Sequence, residues 1–69
     1  MKKSIAVLWI YDALTSNERL NIEQLMEACD CSRRTCLRYI KDLRDYLKKY
    51  RKKNLIFERK KNSFTIVDI

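Results

Sequence analysis

The sequence predicts a small, mainly helical domain of three helices that ends in a two-stranded β-hairpin. Apolar residues recur at helical spacing between residues 22 and 47, and after Asn54 they alternate with polar residues as in a strand. A chain of 69 residues is long enough for one domain with a small hydrophobic core. We therefore expect residues 1–69 to form a single domain that would gain stability from a second copy or another partner.

The first helix is expected to run from a cap at Ser4 to about Leu14. Residues 5–11 are apolar on every side, whereas a helix on the surface of a globular protein usually has one polar face. Part of this helix must therefore face the core, and Val7, Ile10 and Leu14 are the residues expected there. A buried strand over the same apolar run is the alternative that periodicity alone leaves open.

The outer side of the first helix is a candidate interface with a second copy or another protein. It is expected to carry Leu8, Trp9 and Tyr11, and an apolar patch left on a surface often marks an interaction site. In the alternative interpretation, Trp9 packs against the C-terminal hairpin or the end of the third helix.

The second helix is expected to follow a polar loop over residues 15–19. Leu20 is expected to form a short extended bridge, and Asn21 with Gln24 has the spacing of a capping box. The helix should end near Ala28 or Cys29. Three side chains on one side of it are expected to face inward: Ile22, Leu25 and Cys29.

The third helix is expected to begin after Ser32, whose side chain can accept a hydrogen bond from the first turn, and to continue to about Tyr50. Its apolar positions follow one helical face: Cys36, Ile40, Leu43 and Leu47. The positions on the outside carry four cations and a leucine: Arg33, Arg34, Leu37, Arg38 and Lys41. A helix that is buried on one side and basic on the other at its start suits the major groove of duplex DNA.

The hairpin is predicted from two alternating runs on either side of residues 59–63. One side of both strands is expected to pack on the helices: Leu55, Phe57, Phe64 and Ile66. The connecting turn has a basic tip: Arg59, Lys60 and Lys61. Asn62 can adopt the positive φ that such turns require. Asp68 and Ile69 are expected to fray.

Positive charge is concentrated in the second half of the chain. Residues 1–31 hold three Lys or Arg against five Asp or Glu, whereas residues 32–69 hold 13 against four. A net charge of +7 distributed in this way indicates a polyanionic partner, although a generally basic soluble surface is the alternative. Residues 48–53 are compatible both with a solvated helix end, where cations favour the helix dipole, and with phosphate contact.

The residue types present exclude several kinds of chemistry. The chain has no His and no Gly, so His-based acid–base catalysis, His metal ligands and glycine-rich phosphate loops are ruled out. Cys29, Cys31 and Cys36 lack the fourth ligand that a zinc site would need, and each stands where a small apolar side chain fits. We therefore expect buried structural thiols, no catalytic residue, no metal and no cofactor.

The N-terminal segment does not have the features of a secretory signal. Met1–Lys3 precedes the apolar run in the way that the start of a signal peptide does, but the run is short and meets Asp12 without a small-residue cleavage pattern. A membrane span is not expected either, because the run is too short to cross a bilayer. A cytoplasmic location is the expectation.

Residues 25–43 resemble the winged helix-turn-helix domains at the N-terminus of DeoR-like and WYL-type bacterial transcriptional regulators. The matching residues are Leu25, Cys31, Ser32, Arg33, Arg34, Thr35, Cys36, Arg38, Ile40 and Leu43. Three positions depart from the family pattern: Asp30 replaces the usual Gly of the turn, Met26 replaces a small residue, and Tyr39 replaces an Asp. Asp30 can adopt the left-handed conformation that Gly would supply. The resemblance extends more weakly to most of the chain.

The resemblance implies a sequence-specific domain for double-stranded DNA in a small transcriptional regulator. The third helix, about residues 32–50, would enter the major groove, and the hairpin would be a wing along the DNA backbone. Base reading is expected from Arg34, Leu37 and Arg33. Phosphate contact is expected from other residues of the third helix and from the wing: Ser32, Thr35, Arg38, Lys41, Lys60 and Lys61.

Other classes of function remain compatible with the sequence. A phage or mobile-element protein could use the same scaffold to bind and inhibit a host protein or a nucleoprotein complex, with the apolar first helix as its contact surface. RNA binding through the basic surface, or a recognition role in an excision or replication complex, is a further possibility. An enzyme is disfavoured, because no nucleophile–base pair or metal-ligand set is present.

Overall fold

The computed structural model describes residues 1–16 and 19–69. The elements in chain order are α1 (Lys3–Thr15), α2 (Ile22–Cys29), α3 (Arg33–Tyr46), a π-helical turn (Leu47–Arg51), β1 (Lys53–Glu58) and β2 (Ser63–Asp68). Both α1 and α2 pack against α3, and the antiparallel hairpin of β1 and β2 follows. The predicted fold class, three helices followed by a two-stranded wing, is therefore confirmed.

The inner side of α1 differs in part from the prediction. Ile10 and Leu14 are buried as expected, but Ala6 is fully buried whereas Val7 is only half-buried.

The start of α1 also differs from the prediction. The helix begins at Lys3, and the Ala6 N–H donates to the Lys2 carbonyl at 2.8 Å. Ser4 is therefore inside the first turn and does not cap the helix, so that prediction was wrong.

The end of α1 lies one residue beyond the predicted boundary. The Thr15 hydroxyl donates to the Tyr11 carbonyl at 2.9 Å, and the Ser16 hydroxyl donates to the Asp12 carbonyl at 2.9 Å. The Asp12 carbonyl also accepts from the Ser16 N–H at 3.1 Å, so the two hydroxyls add to the backbone bonding at the helix end. Thr15 is thus helical rather than part of a loop, while Asn17 and Glu18 of the predicted loop lie outside the described residues.

The predicted capping box fixes the start of α2. The Asn21 side chain accepts from the Gln24 N–H at 2.8 Å, and the Gln24 side chain accepts from the Asn21 N–H at 2.9 Å. At the other end, Asp30 adopts φ 51° and ψ 55°, the left-handed conformation expected for the turn. The inward side chains are those predicted from spacing: Ile22, Leu25 and Cys29.

The apolar face of α3 is confirmed at all of its predicted positions. Cys36, Ile40, Leu43 and Leu47 are buried and join the inner sides of α1 and α2 in one core. The helix continues close to the predicted end, but its last turn is π-helical and is closed by Lys52 at φ 51°. Within the described ranges, no helix is both long and apolar enough to cross a membrane.

The hairpin pairs Leu55 with Ile66 and Phe57 with Phe64. Leu20 forms the predicted bridge, since its carbonyl accepts from the Phe64 N–H at 2.9 Å. This contact ties the segment before α2 to the hairpin. A two-stranded hairpin needs such packing because it is barely stable alone.

The hairpin departs from the prediction at three residues, two near its turn and one at its open end. Phe57 lies on the expected side but beyond the edge of the core, where it is 43% exposed and contacts Phe64 with ring centroids 5.1 Å apart. Ser63 is the first residue of β2 and is buried, so it does not belong to the turn. Asp68 does not fray, because it pairs with Lys53 across the strands at 2.7 Å.

Candidate nucleic-acid interface

The start of α3 is held in place by its own side chains. The Ser32 hydroxyl accepts from the Thr35 N–H at 3.2 Å, which confirms the predicted cap. The same hydroxyl donates to the Thr35 hydroxyl oxygen at 3.1 Å. Ser32 and Thr35 thus hold each other at the start of α3.

The outer side of α3 brings five of the predicted residues together. They line one shallow, open depression: Arg33, Arg34, Leu37, Arg38 and Lys41. All five are exposed, and Leu37 is 44% exposed. The depression therefore presents an apolar side chain among four cations, an arrangement that can hold the edge of a base pair and the phosphates beside it.

A carboxylate beside this depression forms a surface ion pair. Asp42 lines a neighbouring hollow together with Thr35, Arg38 and Lys41, and its side chain is 2.9 Å from the Lys3 ammonium. This surface ion pair connects α1 to α3 and reduces the negative charge beside Lys41.

The wing residues lie apart from this depression, in the turn between β1 and β2. Asn62 has φ 48°, as expected, and its N–H donates to the Arg59 carbonyl at 3.2 Å. Lys60 and Lys61 are both exposed, but the Lys61 ammonium is 3.6 Å from the Glu58 carboxylate. The two lysines, which look equivalent in the sequence, therefore differ in how much of their charge is available to a phosphate.

Arg44 is a positioning residue that the sequence did not reveal. Its Nε donates to the Leu55 carbonyl at 2.9 Å, and the side chain is partly buried. This bond joins α3 to β1 and so sets the wing relative to the helix. Its position one residue after the buried Leu43 is the only sequence signal, and periodicity cannot distinguish it from a solvated arginine.

Cys29 and Cys36 are buried as expected, whereas Cys31, in the turn before α3, is only half-buried. Burial, followed by repulsion from Cys31 and Cys29, raises the pKa of the Cys36 thiol to about 12. Burial also raises the pKa of Cys29. Both thiols are therefore protonated near neutral pH and act as small apolar core side chains. Among the described residues, no group of three or more His, Cys, Asp or Glu is placed to hold a metal ion.

The outer side of α1 is exposed at two of its three predicted interface residues. Leu8 is 64% exposed and Trp9 is 36% exposed. Tyr11 is only half-buried against the core, and its hydroxyl lies 3.5 Å from the Arg51 guanidinium, which donates to it. Trp9 lines a hollow with neighbours from the same helix and its end: Asp12, Ala13 and Ser16.

The sequence profile of the winged helix-turn-helix DNA-binding family matches residues 10–46, which is more than half of the chain. This match extends from the middle of α1 to the end of α3, and the described hairpin follows it in the position of the wing. Comparison with curated proteins and with solved structures gives no significant match. The chain therefore belongs to the winged helix-turn-helix DNA-binding family.

Proposed function

We propose that this domain recognises a specific sequence of double-stranded DNA as part of a transcriptional regulator, with the N-terminal half of α3 in the major groove. The observation that supports this most directly is the exposed depression of four cations around Leu37 at the start of α3. In a helix-turn-helix, the N-terminal residues of this helix are those that reach base edges.

The contacts are divided between base reading and phosphate binding. Arg34 and Arg33 can each make a paired hydrogen bond to guanine, and Leu37 between them can pack on a thymine methyl group. Phosphate binding is assigned to Thr35 and to the flanking positions at the start of α3: Ser32, Arg38 and Lys41.

The wing adds contacts to the DNA backbone. Lys60 is the stronger contributor, because Lys61 is already near Glu58. Arg59 stands at the same turn and extends the basic tip. These contacts carry no sequence information, and they increase affinity for any duplex.

Replacing Arg34 by alanine should reduce the preference for the cognate site over random duplex by about 1–3 kcal/mol, the value of one paired arginine–guanine contact. The preferred site is first obtained by selecting bound duplexes from a random pool. Affinity for both duplexes is then measured at a single salt concentration. Arg19→Ala, which removes an exposed arginine outside α3, is the matched control and should leave the preference unchanged. An equal loss on both duplexes would make Arg34 a phosphate contact instead.

The finer assignment follows the resemblance of residues 25–43 to DeoR-like and WYL-type bacterial regulators. On this proposal residues 1–69 form one non-enzymatic domain without a cofactor, in a bacterial or phage protein that acts on nucleoid DNA in the cytoplasm. Two-fold related half-sites among the selected duplexes would support a dimeric regulator, because operator symmetry reflects protein symmetry.

The outer side of α1 supports a homodimer. Leu8 and Trp9, with the neighbouring Ile5, leave an apolar surface exposed that a second copy would cover. Sedimentation should show a dimer of the parent protein at high concentration and a monomer of the Leu8→Asp variant. Because Leu8 is exposed, this change is not expected to unfold the domain. A parent protein that stays monomeric at high concentration would contradict self-association. Capture of a stoichiometric host protein, without duplex affinity, would instead favour an inhibitor that uses the same helix.

A further inference from the structure

The far end of the third helix carries an exposed aromatic pair that the reading of duplex DNA does not use. Tyr46 is 44% exposed and Tyr50 is 65% exposed. Their ring centroids are 5.6 Å apart with an interplanar angle of 38°, and the Lys49 ammonium lies 5.4 Å from the centre of the Tyr50 ring. The buried residue of this segment is Leu47, so Tyr50 makes little contribution to the core.

The surroundings of this pair are strongly basic. Residues 48–52 hold four cations and no carboxylate, and the nearest acidic residue in sequence is the exposed Asp45. We call the aromatic pair and these cations the tyrosine–lysine patch: Tyr46, Lys48, Lys49, Tyr50, Arg51 and Lys52. The Arg51 guanidinium donates to the Tyr11 hydroxyl at 3.5 Å, which places the end of the patch beside α1.

The patch is separate from the base-reading end of α3. Arg34 and Tyr50 are 16 positions apart in the chain, which corresponds to about 24 Å along a helix. The major groove of B-DNA is about 12 Å wide. Tyr46 also lines a groove with residues of α1 rather than with the arginines of the depression. A duplex held at the start of α3 would therefore leave the aromatic pair uncovered.

We propose that the tyrosine–lysine patch is a binding site for single-stranded nucleic acid. Exposed aromatic rings surrounded by cations are the general means of holding an unpaired strand, since bases stack on the rings while the cations bind the backbone. Tyr50 is the more exposed of the two side chains, and the Tyr46 ring stands next to it. A duplex cannot use the rings in this way, because the faces of its bases are covered by neighbouring base pairs.

The test is binding of a fluorescently labelled oligothymidylate of about ten nucleotides, a length within the range that one such domain covers. Fluorescence anisotropy at low salt should show binding by the parent chain. Tyr50→Ala should weaken this binding roughly 5- to 150-fold, as expected for the loss of one stacked base. Tyr50→Phe should retain it, because the ring remains. Neither change should alter affinity for the preferred duplex.

Tyr50→Lys separates stacking from charge. This change removes the ring and adds a cation. If bases stack on the ring, the variant should bind oligothymidylate more weakly than the parent. If the surface acts only through its charge, the variant should bind it more tightly. Because Tyr50 is exposed, thermal unfolding by circular dichroism should be nearly unchanged in all three variants. Arg34→Ala should leave oligothymidylate binding intact, which keeps this site distinguishable from the duplex interface.

Any one of four results would overturn the proposal. The first three are a parent chain that does not bind oligothymidylate, an unchanged affinity in Tyr50→Ala, and tighter binding in Tyr50→Lys. Displacement of the oligonucleotide by polyglutamate with equal ease from the parent and from Tyr50→Ala would also overturn it, because the patch would then be a general surface for acidic chains.

Discussion

Affinity for duplex DNA is expected to fall about a thousandfold when salt is raised from 50 to 200 mM, if the protein neutralises about six phosphates. The physical reason is counterion release: each phosphate that a Lys or Arg neutralises frees a condensed cation, and this gain shrinks as bulk salt rises. The cations on α3 and in the wing are numerous enough for this. The measurement is a series of binding isotherms at increasing salt with one duplex.

The two wing lysines provide matched variants for the same experiment. Lys60→Ala is expected to weaken binding to all duplexes alike and to reduce the salt slope by about one. Lys61→Ala should change the slope less, because the Lys61 ammonium already lies 3.6 Å from the Glu58 carboxylate. An unchanged slope in both variants would remove the wing from the interface. Equal effects would mean that the Glu58 pair opens on binding.

Replacing Leu25 by alanine is expected to destabilise the fold by about 2–5 kcal/mol. Leu25 is 0% exposed in the core between the helices, so the change removes buried methyl groups and leaves a cavity. A domain of this length has a total stability of roughly 3–10 kcal/mol. The melting temperature should therefore fall by at least about 10 °C, which thermal unfolding followed by circular dichroism would measure.

Leu37→Ala is the matched control, since it makes the same chemical change at a position that is 44% exposed. Its stability should stay within about 0.5 kcal/mol of the parent, while its affinity for the preferred duplex should fall if the side chain packs on a thymine methyl group. A melting temperature as low as that of Leu25→Ala would contradict the assignment of Leu37 to the outer side of α3.

Local sequence patterns determined the helical part of this fold. The spacing of Cys36, Ile40 and Leu43 already separates a buried from an exposed side of α3, because helical periodicity depends only on neighbours one turn away. The capping box of Asn21 and Gln24 is local in the same sense. This is why the exposed position of the arginines on α3 could be predicted, although their contacts with DNA stay a prediction.

Tertiary packing decided the details that local patterns leave equivalent. The apolar run of α1 has no polar face, so its sequence could not show that Ala6 rather than Val7 is fully buried. The alternating pattern placed Phe57 on the correct side of the hairpin. It could not show that the Phe57 ring lies at the edge of the core and is largely exposed, because that depends on how far the helices extend beneath the hairpin.

What the sequence by itself determined is the order of the elements, the buried side of α2 and α3, and the concentration of positive charge in the second half of the chain. The tertiary structure alone decided which residues of different elements meet. The pairs of Arg44 with Leu55 and Lys3 with Asp42 join residues distant in the chain. Such contacts depend on how whole elements meet, and periodicity within one element carries no information about that.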